Sequence, residues 1–340
     1  MHSLFAGLLL ISLLCSWQVD GASLFDGDSV LDVKLTGPLT SLFADKKQRA
    51  EQPFTLVANG KEHAVKVRLR GKSRLRVCNF PPLRLNFSRQ DTADTVFAGQ
   101  DKVKLVTHCR KRKASQVDAI QEYAAYRLLS VLTDVAYRVR LLRITYIDTE
   151  RHDKDQSSLK YAFVIEPKKA LAKRVGGQLT HVKGVTLGSL DAQHMAIVYV
   201  FQYLIGNTDW SLVTADDDDE CCHNGDLLDI GQVRYYVPYD FDLAGLVNAR
   251  YSNPDPSLRI KKVTQRLYRG FCMPQTNVQT ALETILKHES DIMGIMRGLP
   301  GLSPKELDSS SRYLQKFFTL AGNKEKLLRT FKKQCLRAGS

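Results

Sequence analysis

The run LDAQHMAIVYVFQYLIG, from Leu190 to Gly206, would carry apolar side chains on nearly every side of a helix. Such a helix cannot face water, so the rest of the chain must be built around it. A length of 340 residues allows this, either with one large core or with two lobes. The 44% hydrophobic and 25% charged content is that of a globular protein.

Upstream, the period is that of strands. Ser29 to Gly37 alternates apolar and polar residues, and two further β-like runs flank Asn59-Gly60, a dipeptide suited to the positive φ angles of a tight hairpin. Pro82 to Phe87, Lys102 to His108, Val139 to Asp148 and Leu159 to Pro167 extend this β-rich part. Within it, RLRGKSRLR (Arg68 to Arg76) sets Gly71 between Arg70 and Lys72, which suits either an approach to phosphate or an ordinary turn with solvated cations.

One helix interrupts the strands. Ser115 to Thr133 repeats Val117, Ile120, Ala124, Leu128 and Val131 at helical spacing, with Ser115 as N-cap. A strand carrying Lys104 followed by a helix carrying Glu122 is the succession that builds a phosphate-directed ion pair in kinases. Lys102 and Arg84 are rival cations, and a surface role for Glu122 stays open. Glu166-Pro167 reads as a hinge whose backbone would meet an adenine edge, or as a plain domain boundary.

Beyond the apolar helix, Asp209 follows in the loop GNTDW, His223-Asn224 comes next, and Asp240 and Asp242 end the β-like run Tyr235 to Tyr239. A carboxylate after a helix, an amide, and a carboxylate after a strand is an order used in phosphoryl transfer, where the first orients the attacking hydroxyl and the others hold a metal. The tripeptides HRD and DFG are absent. The insert ADDDDECCHNG between them reads as a solvated acidic loop, with a Ca²⁺ site the sharper alternative, though it lacks the ligand spacing of a calcium loop. Zinc at Cys221, Cys222 and His223 is disfavoured because no CxxC spacing exists. The later loop, Ala249 to Cys272, is basic, and Arg266 and Arg269 are candidates to face an acidic substrate. The remainder reads as helices: Gln279 to Met296, a capping box at Ser303 to Glu306, and Lys324 to Leu336.

The first 22 residues, with an apolar stretch from Leu4 to Leu14, have the form of a secretory signal peptide, too short for a membrane anchor of roughly 20 apolar residues. Without Cys15 six cysteines remain, an even number suited to an oxidising compartment. Secretion or a periplasmic location is therefore expected. The formal net charge of +13 suits anionic lipid head groups, envelope polymers or acidic protein segments, or is simply a solvated basic surface. No nucleic-acid signature accompanies it, so no nucleic-acid partner is expected.

Taken in order, RLRGKS, EYAAYRLL, YAFVIE, GNTDW, HN and YDFDLAGL resemble the CotH-type atypical kinases of spore coats, and more distantly HipA-type and secreted Golgi-type kinases. The resemblance covers roughly Val67 to Gly245. It implies an α+β, two-lobed, protein-kinase-like fold: a β-rich N-lobe over residues 23–167 with one long helix, and a mainly helical C-lobe over 168–340. It also implies ATP with Mg²⁺ or Mn²⁺ and transfer of phosphate to a protein or other hydroxyl. By position, Asp209 resembles the catalytic aspartate, and Asn224 and Asp240, with Asp242 beside them, the metal ligands. Lys104, Glu122 and Glu166 are the nucleotide-side candidates. The long insert between Asp209 and Asn224 departs from the pattern. A catalytically inactive binding protein at the cell envelope is the alternative, and transfer of AMP would use the same ligands.

Overall fold

A computed structural model describes residues 23–44, 46–47, 49–88, 90–110, 113–152, 157–212 and 220–337. The proposed signal segment, and the aspartates Asp216 to Asp219 of the acidic insert, lie outside them.

Seven strands form a closed barrel in the order β1-β2-β3-β4-β5-β7-β6. They are β1 (Leu31–Gly37), β2 (Gln52–Ala58), β3 (Lys61–Leu69), β4 (Leu83–Phe87), β5 (Lys102–Val106), β6 (Val139–Asp148) and β7 (Ser157–Ile165). Neighbours are antiparallel except at the closure, where β1 runs parallel to β6 with Val33 opposite Ile144. The β2–β3 hairpin turns at Asn59-Gly60, both at positive φ (50° and 74°), as the dipeptide predicts.

The closure overturns the expectation of a two-lobed kinase-like fold with an open-sheet N-lobe. Alternation within each strand reports which residues face inward, but not whether the first strand meets a later one. Here β1 pairs on both sides, with β2 and β6, and the barrel has no free edge. The C-terminal half, expected to be mainly helical, also carries a second, antiparallel sheet of β8 (Gln178–Thr180), β9 (Gly225–Ile230) and β10 (Val233–Pro238), the last over most of the β-like run expected from Tyr235 to Tyr239.

Two apolar clusters follow from strand alternation. Inward residues such as Val67, Leu85, Leu105, Leu142 and Val164 fill the barrel. The opposite faces of β5, β6 and β7 present Val106, Leu141, Phe163 and Ile165 to a second core shared with the helices. Its centre is the predicted all-apolar helix, Ala192–Ile205, buried along most of its length and capped by the Asp191 side chain.

Numbered along the chain, the helices are α1 (Leu39–Ala44), α2 (Ser73–Val77), α3 (Lys113–Leu132), α4 (Lys168–Arg174), α5 (Ala192–Ile205), α6 (Gln275–Lys287), α7 (Glu289–Arg297), α8 (Pro304–Ala321) and α9 (Lys324–Gln334). The long helix α3 begins two residues before Ser115, which is buried inside it instead of capping it. The single amphipathic run predicted from Gln279 to Met296 is divided at His288 into α6 and α7. The capping box of α8 is present, with Glu306 accepting from the Ser303 backbone at 2.7 Å.

All six cysteines outside the first 22 residues are paired: Cys78–Cys109, Cys221–Cys222 and Cys272–Cys335. Among the described residues no helix is long and apolar enough to cross a membrane.

Candidate functional site

The buried guanidinium of Arg74, on the short helix α2, joins elements that are far apart in the chain. It donates to Glu122 of α3 at 2.8 Å, to Asp240 at 2.7 Å and to Asp242 at 2.9 Å. Tyr251 donates to the same Asp242 oxygen at 2.9 Å. The Cys78–Cys109 disulfide ties the end of α2 to the segment leaving β5, which helps hold Arg74 in place.

One cation cannot neutralise three carboxylates. Burial, with the neighbouring acids, holds Glu122 and Asp242 above the usual carboxylate range, while Arg74 opposes the shift. Arg74 itself is held firmly charged, because the surrounding carboxylates outweigh its burial. Asp240 differs from its neighbour: its side chain is 42% exposed against 7% for Asp242. It sits at φ +60°, and its backbone N–H donates to Tyr126 Oη of α3 at 2.9 Å.

The second part of the site is built on the end of α5. Gly206 caps this helix in the left-handed conformation and lies, like Gly245, against Tyr313 Oη, where a side chain would collide. Gly245 and Leu246 donate to the carbonyls of Gly206 and Ile205, so the loop beyond Asp242 is fastened to the loop that carries Asp209. Arg269 reinforces that loop by donating to the carbonyls of Thr208 and Trp210, on either side of Asp209.

Both oxygens of Asp209 have a partner. Oδ1 lies 3.0 Å from His223 Nε2, and Oδ2 accepts from Asn224 Nδ2 at 2.9 Å. Asn224 Nδ2 also reaches the Asp209 carbonyl at 2.7 Å. The bond to Asp209 raises the His223 pKa against the effect of burial, and the charge of Asp240 adds to the rise. Tyr239, preceding Asp240, donates its N–H to the Asn224 carbonyl at 3.0 Å. Asp209, Asn224 and Asp240 therefore share one surface, despite the insert between the first two.

A third group consists of cations. Arg70 and Lys104 have no carboxylate within ion-pair distance among the described residues. Burial lowers the pKa of each, and the charge of Asp240 opposes this in both. Lys104 Nζ lies 5.1 Å from the centre of the Tyr239 ring. Nearby, Asp226 accepts from Tyr137 and pairs with Lys168 at 3.7 Å.

Several expectations need correction. Glu122 pairs with Arg74 of α2 instead of Lys104. The rival cations lie elsewhere: Lys102 is exposed and near Asp101, and Arg84 binds Glu51. Glu166 braces the fold through Arg174 and the Arg138 backbone, and its own N–H donates to the Arg138 carbonyl. Arg266 is turned inward onto the carbonyls of Tyr203, Leu204 and Tyr313, so it, like Arg269, braces the fold and does not face outward. Glu220 of the insert pairs with His181. Zinc at the adjacent cysteines is excluded because the two sulfurs are bonded to each other.

Sequence reasoning missed Arg74, Tyr126 and Tyr251, and it weighed His223 only as a neighbour of Asn224 and as a disfavoured zinc ligand. RLRGKSRLR contains Arg74, but nothing in that run separates one arginine from the next. Neither a family model nor a curated protein matches the chain.

Proposed function

We propose that this chain is an exported phosphotransferase that moves the terminal phosphate of ATP to a hydroxyl of a protein or envelope polymer. The observation that carries the reading is the pair of half-buried cations, Arg70 and Lys104, without carboxylate partners among the described residues and beside the half-exposed Asp240. Cations with open donor capacity next to an oxygen ligand suit a phosphate chain accompanied by a divalent ion. The order of GNTDW, HN and YDFDLAGL supports the same chemistry. Three disulfides and the apolar leader support export.

Asp240 and the side-chain oxygen of Asn224 fit a hard divalent cation such as Mg²⁺ or Mn²⁺, being oxygen donors on one surface. Asp242 fits less well, since one oxygen already accepts from both Arg74 and Tyr251. A bound metal would neutralise charge on the phosphates. Arg70 and Lys104 bind and orient the same oxygens. Asp209 accepts the proton of the attacking hydroxyl, and Asn224 and His223 fix the rotamer of its carboxylate. Losing Asp209 as base should lower turnover by about 10²–10⁴-fold. Asp240→Asn should abolish both metal-dependent nucleotide binding and transfer of labelled phosphate from ATP; transfer at the wild-type rate would remove the assignment.

One observation favours a second reading, a catalytically inactive binding protein. Arg74 reaches both Asp240 and Asp242, so a fixed cation already sits against the proposed metal ligands. A thermal-shift titration with ATP and Mg²⁺ or Mn²⁺ separates the two, because a ligand of the native state stabilises it by mass action. Absence of any shift at millimolar ATP favours the second reading.

A further inference from the structure

Apart from this cluster, and sharing none of its residues, a cavity of about 410 Å³ opens between the segment before α6 and the end of α9. This size is within the range of small-ligand sites, roughly 300–1,000 Å³. Tyr268, Phe271, Met273, Val278, Leu328 and Phe331 form the apolar part of its wall. The aromatic wall is rigid, with Tyr268 and Phe331 stacked at 4.4 Å between ring centres and Phe331 also against Tyr203. The rim is pinned by the Cys272–Cys335 disulfide and by paired backbone bonds between residues 270–272 and Leu336.

The charge at the mouth is of one sign. Lys332, Lys333 and Arg337 line the opening, and no lining residue is acidic. Lys332 and Lys333 are exposed and have no carboxylate partner among the described residues. An apolar wall beside a mouth whose charged residues, among those described, are cationic is complementary to a molecule with a hydrocarbon tail and an anionic head.

We propose that this cavity binds a single-chain anionic amphiphile, with its acyl or alkyl chain along the apolar wall and its head group at Lys332 and Lys333. The tail supplies affinity through burial and the rim selects the sign of the head. A fatty acid and an alkyl phosphate share this chemistry. A bilayer does not, because the cavity receives one chain, not a surface.

The test is isothermal titration of the full exported chain with alkyl phosphates below their micelle concentrations. Dodecyl phosphate should bind one to one, and each pair of methylenes removed, to decyl and then octyl, should weaken binding about 15-fold. Laurate should bind as dodecyl phosphate does, and inorganic phosphate should bind far more weakly than either. Val278→Trp, which fills the chamber, should abolish binding. If that variant unfolds, the surface pair Lys332→Ala and Lys333→Ala keeps the test open: it should weaken dodecyl phosphate about 25-fold, at about fivefold per lysine, and leave neutral dodecyl maltoside unchanged. The proposal fails if affinity does not depend on chain length, or if dodecyl maltoside binds as tightly as dodecyl phosphate. It fails equally if the chain binds only phosphatidylglycerol vesicles and Val278→Trp does not alter that binding.

Discussion

The candidate site has two carboxylate stations, and they are built on opposite principles. At Asp209 the side chain is one-third exposed, and its partners are a histidine and an amide. At Glu122 and Asp242 the acids are buried under a single guanidinium. The first arrangement leaves a carboxylate accessible to solvent. The second holds acids in the interior through hydrogen bonds to one guanidinium, which serves to fix α2, α3 and the Asp240 loop against one another. Asp240 belongs to both, bound to Arg74 on one side and open to solvent on the other.

The largest effect should come from breaking the buried station. Arg74→Met leaves Glu122 and Asp242 buried without their cation and should cost about 3–5 kcal/mol in urea unfolding. A cost near zero would show that the ion cluster contributes nothing to the fold. Asp118, one turn before Glu122 on α3, should give the next largest effect. Burial raises its carboxyl to about 7, against the opposing Arg250. The folded chain keeps this proton while the unfolded chain releases it near pH 4, so stability should fall as pH rises from about 4 to 7. Asp118→Asn should remove that slope and stabilise the protein by about 2 kcal/mol at pH 8, measured by unfolding across pH.

The exposed station should respond least in stability. His223 has its pKa raised by Asp209, so its contribution is complete below the ordinary histidine pKa and is lost as pH rises through the folded value. His223→Gln should therefore cost about 1 kcal/mol or less, and only at acid pH. An equal cost at pH 5 and pH 9 would contradict the proposed pairing. The contrast with Arg74→Met separates a buried station that holds structure from a partly exposed one that contributes little to it.

Local features of the sequence were readable where the physics is local. The hairpin at Asn59-Gly60, the capping box at Ser303 and the all-apolar helix each depend on a few adjacent residues. Barrel closure was not, because the parallel contact of β1 with β6 joins residues more than a hundred positions apart. The site divides in the same way. GNTDW, HN and YDFD carry the candidate acids and the amide in short local motifs, while Arg74 was hidden among similar cations in RLRGKSRLR. Its role depends on which side chain of a five-residue helix turns inward, and only tertiary packing decides that.

The central claim is that Arg70 and Lys104 receive phosphate oxygens beside Asp240. Its most direct test is calorimetric titration of Mg²⁺ with a non-hydrolysable ATP analogue into the wild-type chain and into Arg70→Gln/Lys104→Gln. The wild type should bind, and the double variant should bind at least about 100-fold more weakly while unfolding at a similar temperature, since charge-assisted bonds contribute about 1.5–3 kcal/mol each. Equal affinity in the two proteins, or no binding to the wild type at millimolar analogue, would contradict it.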